Sequence, residues 1–126
     1  MKLWYMHKLQ CLAEIEVDFE TRAIEYTIKH FDSLWSPFQW GDPTFEDFEW
    51  FLETRCFPRA RHNLKEILTA LNMDHYDPWL IVKHTHGTVA NEPCWFLFDT
   101  DTGILDIPLS GGTLYVDAEE IKSSIN

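Results

Sequence analysis

The sequence predicts an α+β fold: a small antiparallel sheet of four to five strands packed against a three-helix segment inserted between an N-terminal hairpin and C-terminal strands. Three observations predict it. Apolar residues alternate with polar ones near the N-terminus, recur every three to four residues in the middle of the chain, and form an unbroken run later, at Cys94–Phe98. At 126 residues the chain is read as one domain, 1–126. A chain of this size buries roughly two thirds of its unfolded surface, enough for a core without disulfide or metal staples.

In chain order, Leu9–Val17 places Cys11, Ala13, Ile15 and Val17 on one face and Glu14 and Glu16 on the other. Residues 18–22 turn the chain, and Ala23–Lys29 alternates again with Ile24, Tyr26 and Ile28 inward. The pair is expected as an antiparallel hairpin with one wet, carboxylate-bearing face, which also discourages edge-to-edge aggregation. Residues 30–43 have no period, and Pro37, Gly41 and Pro43 forbid regular structure. Their aromatic content, Trp35 and Trp40 included, predicts a lid of side chains over the core or an aromatic binding surface.

A first helix is expected over about 43–55, with Asp42 as cap, Pro43 at its first position and Phe45, Phe48, Phe51 and Leu52 as the buried stripe. Phe57-Pro58 stops it. A second, over about 59–72, carries Leu64, Ile67, Leu68 and Leu71 at i, i+3, i+4 and i+7. A third, over about 78–86, has Asp77 as cap, Pro78 at its first position and Gly87 as left-handed stop. Cys94–Phe98 reads as a buried strand and Asp99–Gly103 as a turn. Ile104–Leu109 and Thr113–Val116 are further strands, with Pro108 at an edge, before a final helical turn opened by Asp117 and Glu120.

The formal charge is −11, so the surface as a whole repels nucleic acid and anionic membranes and favours a partner with a basic surface. No apolar run approaches the ~20 residues that span a bilayer, and the N-terminus has no export signal, so a cytoplasmic location is expected. Cys11, Cys56 and Cys94 are dispersed and odd in number, as core residues of a reducing compartment are.

No catalytic constellation and no cofactor motif is found. His84 and His86 lack a third ligand at metal-site spacing, so no metal is predicted. Asp99, Asp101 and Gly103 begin like a calcium loop, but Ser110 stands where such a loop needs glutamate. Phosphate-loop, nucleophile-elbow and zincin signatures are absent. Two candidate surfaces remain. Asp42, Glu46, Asp47, Glu49 and Glu53 line the first helix opposite its apolar stripe and, with Trp35 and Trp40, form a candidate protein-interaction surface. Arg55, Arg59, Arg61 and Lys65 cluster near the join of the first two helices. Either Arg55 and Arg61 pair with Glu46, Glu49, Glu53 or Glu66 and lock the two helices, or the cluster forms an anion site at the start of the second helix.

The order Leu52-x-x-Arg55-x-x-Pro58-x-x-Arg61, then Leu68, Leu71, a short helix, Gly87 and Cys94-Trp95-Phe96, resembles the N-terminal accessory region of HipA-like kinases and its stand-alone relatives in bacterial mobile elements. His7, Lys8, Glu16, Asp18, Thr21 and Ile24 fit the same pattern, so the likeness covers about residues 7–97. The family commonly follows Gly87 with a Leu-x-Asp-x-Tyr-Trp-like run, and here Thr88–Trp95 departs from it. The resemblance implies the accessory module alone: no kinase core or metal-binding kinase motif is present.

These readings converge on a non-enzymatic, acidic protein-interaction module of a bacterial mobile element or phage. Its sharper form is an inhibitor that blocks a basic nucleic-acid-binding surface of its partner, a nucleic-acid mimic similar to acidic anti-CRISPR proteins. The alternative is a small DNA-binding regulatory protein using the Arg55–Lys65 segment as a helix-turn-helix-like pair.

Overall fold

The computed structural model describes residues 1–39 and 41–125. Among these the order is β1 (Lys2–His7), β2 (Gln10–Asp18), β3 (Ala23–Ile28), α1 (Phe45–Thr54), α2 (Leu64–Ala70), α3 (Pro78–Thr85), β4 (Cys94–Phe98), β5 (Ile104–Leu109), β6 (Gly112–Asp117) and α4 (Ala118–Ile125). The expected α+β class is what is found. The strands form a four-stranded antiparallel sheet, β3-β2-β1-β4, and a separate hairpin, β5-β6.

The main sheet is the middle of three layers. On one face Leu3, Tyr5, Ile15, Val17, Cys94, Phe96 and Phe98 pack against Phe45, Phe48, Phe51 and Leu52 of α1 and Val82 of α3. On the other, Trp4, Met6, Trp95 and Leu97 pack under Ile107 and Val116 of the hairpin and Ala118 and Ile121 of α4. β4 is therefore buried on both faces, which is why its sequence is apolar without alternation. Each large side chain so enclosed stabilises the fold by about 1.5–3 kcal/mol.

Six expectations are corrected. β1 was not anticipated, because Lys2–His7 mixes charged ends with an apolar run; it is the strand that joins the hairpin to β4. The strands split between two sheets, because β5-β6 covers the main sheet instead of extending it. α1 is capped by Thr44, not Asp42: Thr44 Oγ1 accepts from the Asp47 amide at 3.2 Å and Asp47 Oδ2 accepts from the Thr44 amide at 2.9 Å. α2 begins at Leu64 because tight turns occupy the preceding residues, with Arg61 N bonded to Pro58 O and Leu64 N to Arg61 O. Of its predicted stripe only Leu68 is buried, since α2 lies at the margin of the helical layer. Ile28, expected inward, is 47% exposed.

His86, the residue that ends α3, seals the outer edge of β4. The Phe96 amide donates to His86 O at 2.6 Å and His86 Nδ1–H donates to Phe96 O at 2.8 Å. His86 and Gly87 are both left-handed, with φ of 56° and 66°. Gly87 also lies so close to Phe96 that an added Cβ would stand 2.6 Å from the ring. Gly87→Ala is therefore expected to lower the unfolding free energy by about 2–4 kcal/mol, from left-handed strain plus overpacking. Urea denaturation checks this through a fall in midpoint at unchanged slope.

Candidate functional site

The four predicted cations do not form one surface. Arg55 follows the last residue of α1 and is 6% exposed. Its Nε donates to Gly87 O at 2.9 Å, Nη1 to Glu92 Oε1 at 2.7 Å and Nη2 to Cys94 O at 3.3 Å, while its guanidinium lies 5.6 Å from the Tyr5 ring. This cation ties α1 to the segment that enters β4, and its donors are engaged by Gly87, Glu92 and Cys94. Arg59 lies over the Tyr76 ring at 4.3 Å and approaches Glu53 at 3.6 Å. Arg61 and Lys65 are exposed and have no ion-pair partner among the described residues. Arg61 lines a cleft of about 350 Å³ with Arg55, Cys56, Thr85 and Thr88. The join of α1 and α2 is a series of turns, not the tight corner of a helix-turn-helix.

The carboxylates do make a surface. Glu46, Glu49 and Glu53 project from α1 into solvent, and Asp42 is exposed just before it. Asp47 is half-buried and committed to the Thr44 cap. Arg22, in the β2–β3 turn, bonds Glu46 at 3.1 Å and Glu49 at 2.9 Å. One of the two sequence-based readings paired Arg55 and Arg61 with glutamates of this set; the partner of Glu46 and Glu49 is Arg22 of the hairpin, a pairing set by tertiary contact. Phe19 of the same turn packs edge-on against Phe45 and at a tilt against Trp79, with ring centroids 5.7 and 4.8 Å away, and so holds the hairpin tip against α1.

Beyond Arg22 the acidic surface continues. A cleft of about 520 Å³ at the hairpin end is bordered by Glu16, Asp18, Glu20 and Glu25. The Met1 ammonium at its wall is committed to Val17 O at 3.0 Å. Backbone amides of Thr21 and Glu20 hold the Asp18 carboxyl below its usual range. Glu14, on the same outer face of β2, accepts from Trp4 Nε1 at 3.0 Å.

The aromatic residues divide. Trp35 is half-buried against the helical core, its ring 6.1 Å from that of His7, and Phe38 is fully buried, so this part of 30–43 is a lid. Phe31 and Leu34 face solvent. Trp40 lies outside the described residues. Sequence reading missed Trp50, which is 67% exposed among the α1 glutamates. The helical period held the signal: Trp50 falls off the stripe of Phe45, Phe48, Phe51 and Leu52.

Among the described residues no three His, Cys, Asp or Glu side chains gather at metal-binding distance. In the Asp99–Gly103 turn, which begins like a calcium loop, the ammonium of Lys122 bonds the carbonyls of Asp99 and Asp101. No described helix is long and apolar enough to cross a membrane.

Burial pushes the thiols up to about 11 at Cys11 and Cys94 and about 12 at Cys56. A thiol attacks as its thiolate, so none is a ready nucleophile at neutral pH. At pH 8 labelling of the native protein by a disulfide reagent is expected to be at least about 100-fold slower than that of a free cysteine. Arg55→Met is expected to cost about 3–5 kcal/mol in urea unfolding, because Glu92 and two carbonyls lose their donor. Neither this chain nor any part of it matches a family model, a curated protein or a solved structure.

Proposed function

We propose that this protein is a non-enzymatic interaction module that binds a basic surface of a protein partner through the acidic face running from the β2–β3 hairpin to α1. One observation carries the reading: Trp50 stands in solvent with Glu46, Glu49 and Glu53 around it. A solvated helix face has no use for a large indole, whereas interfaces favour tryptophan as an anchor. Carboxylates around it set orientation and speed encounter with a cationic partner. Successive glutamates are three or four residues apart, which spaces them roughly 4.5–6 Å along the helix axis. That row of negative charge supports a sharper form: an inhibitor occupying a nucleic-acid-binding groove of its partner, as a stand-alone module of a phage or bacterial mobile element. The DNA-binding alternative retains only Arg61 and Lys65 as exposed, unpaired cations, too few to outweigh a charge of −11.

The test is affinity capture from a bacterial lysate, with and without nuclease, using wild-type protein, Trp50→Ala and the triple variant Glu46/Glu49/Glu53→Gln. A captured protein that survives nuclease, is released by salt and binds the triple variant about tenfold more weakly is the expected result. Trp50→Ala is expected to cost about 2 kcal/mol of binding, roughly 30-fold. Binding indifferent to ionic strength and to both variants overturns the proposal.

A further inference from the structure

Strand β3 is the outer strand of the main sheet, paired among the described residues only with β2. Antiparallel pairing turns alternate residues toward each neighbour, and the register decides which. Val17 exchanges both of its backbone bonds with Met1 on the β1 side, so Glu14, Glu16 and Asp18 direct theirs to β3. Their partners there are Thr27, Glu25 and Ala23. The amides and carbonyls of Ile24, Tyr26 and Ile28 consequently point away from the sheet, and none has a backbone or side-chain partner among the described residues. The opposite edge, at β4, is sealed by His86; this one is not.

The two faces beside the open edge differ. Glu25 and Thr27 lie on the outer face, with Glu16 directly across from Glu25. Lys2 lies across from Glu16 but makes no ion pair with it. Ile24, Tyr26 and Ile28 lie on the helix-side face, where Ile28 is 47% exposed. Unpaired backbone, carboxylates on one face and apolar side chains on the other specify an occupant by residue period. We propose that β3 is a docking edge for an extended segment of a partner protein in which basic and apolar residues alternate, added to the sheet as its fifth strand. Lysines or arginines at every second position meet Glu25 and Glu16, and the apolar residues between them extend the surface of Ile24, Tyr26 and Ile28. Main-chain bonds supply the affinity and the alternating pockets the specificity. A second copy of this chain fits poorly, because β3 against β3 brings the Glu25 carboxylates toward each other. The inference rests on the acidic-face reading above and adds to it where, and in what conformation, the partner binds.

The probe is the peptide Lys-Val-Lys-Val-Lys-Val, six residues to match β3, against Lys-Lys-Val-Val-Lys-Val, which has the same charge but breaks the alternation. Amide hydrogen exchange reads the edge directly. With the alternating peptide at about 100 times its dissociation constant, exchange at Ile24, Tyr26 and Ile28 is expected to slow about 100-fold. Glu25 and Thr27, already bonded to β2, are expected to change little. Ile28→Pro removes one outward donor at a position where an edge strand tolerates proline and is expected to weaken binding at least about tenfold. Equal binding of both peptides without protection at these amides overturns the edge and leaves the acidic-face reading standing. No binding of either peptide at low salt overturns both. Protection that rises with protein concentration in the absence of peptide assigns the edge to a second copy and overturns the basic segment. The exchange measurement uses wild-type protein and decides the matter even if Ile28→Pro does not fold.

Discussion

The enclosure of β4 on both faces is the constraint from which the architecture follows. Cys94–Phe98 offers no polar side chain to water, so the sheet must be covered twice. α1 and α3 cover one side, and the β5-β6 hairpin with α4 covers the other. The second cover is small. It reaches β4, β1 and the start of β2, through Trp95, Leu97, Trp4, Met6 and Cys11, and leaves Glu16, Glu25 and Thr27 on the same face in solvent. Glu16 and Glu25 lie on that uncovered area, whereas Glu46, Glu49 and Glu53 stand on α1, in the layer on the other side of the sheet.

Arg55 shows how a charge is accommodated within that enclosure. A buried guanidinium is costly unless its donors are satisfied, and here they are shared among Gly87, Glu92 and Cys94. The same bonds fix the end of α1 against the segment entering β4. Gly87 reinforces the contact by letting its backbone approach the Phe96 ring. A residue that reads as part of a basic cluster is therefore an internal strut, and the basic cluster dissolves in three dimensions.

The acidic residues follow the opposite course. Glu16 and Glu25 belong to the hairpin and Glu46 and Glu49 to α1, more than twenty residues later in the chain. The hairpin tip is held against α1 by Phe19 on Phe45 and Trp79 and by Arg22 on both α1 glutamates, so the two acidic stretches meet at the tip. Arg22 offsets part of the charge on α1, which leaves the hairpin carboxylates as the less compensated half. An open sheet edge borders that half, and Trp50 stands in the other.

Local chemistry in the sequence determined the element types and most of their limits. Cys94–Phe98 and Ile104–Leu109 end where apolar runs meet turn residues, and α3 begins at Pro78 behind its Asp77 cap, because caps, prolines and side-chain period act over a few residues. Trp50 was legible as well, by its place on the polar side of α1. Only the tertiary structure decided that β1 completes the main sheet, that β5-β6 covers it, that Arg55 is interior, and that Arg22 is the partner of Glu46 and Glu49. Each of those depends on contacts between residues distant in the chain, and neither the reach of a guanidinium nor the open side of a strand is written in residue spacing.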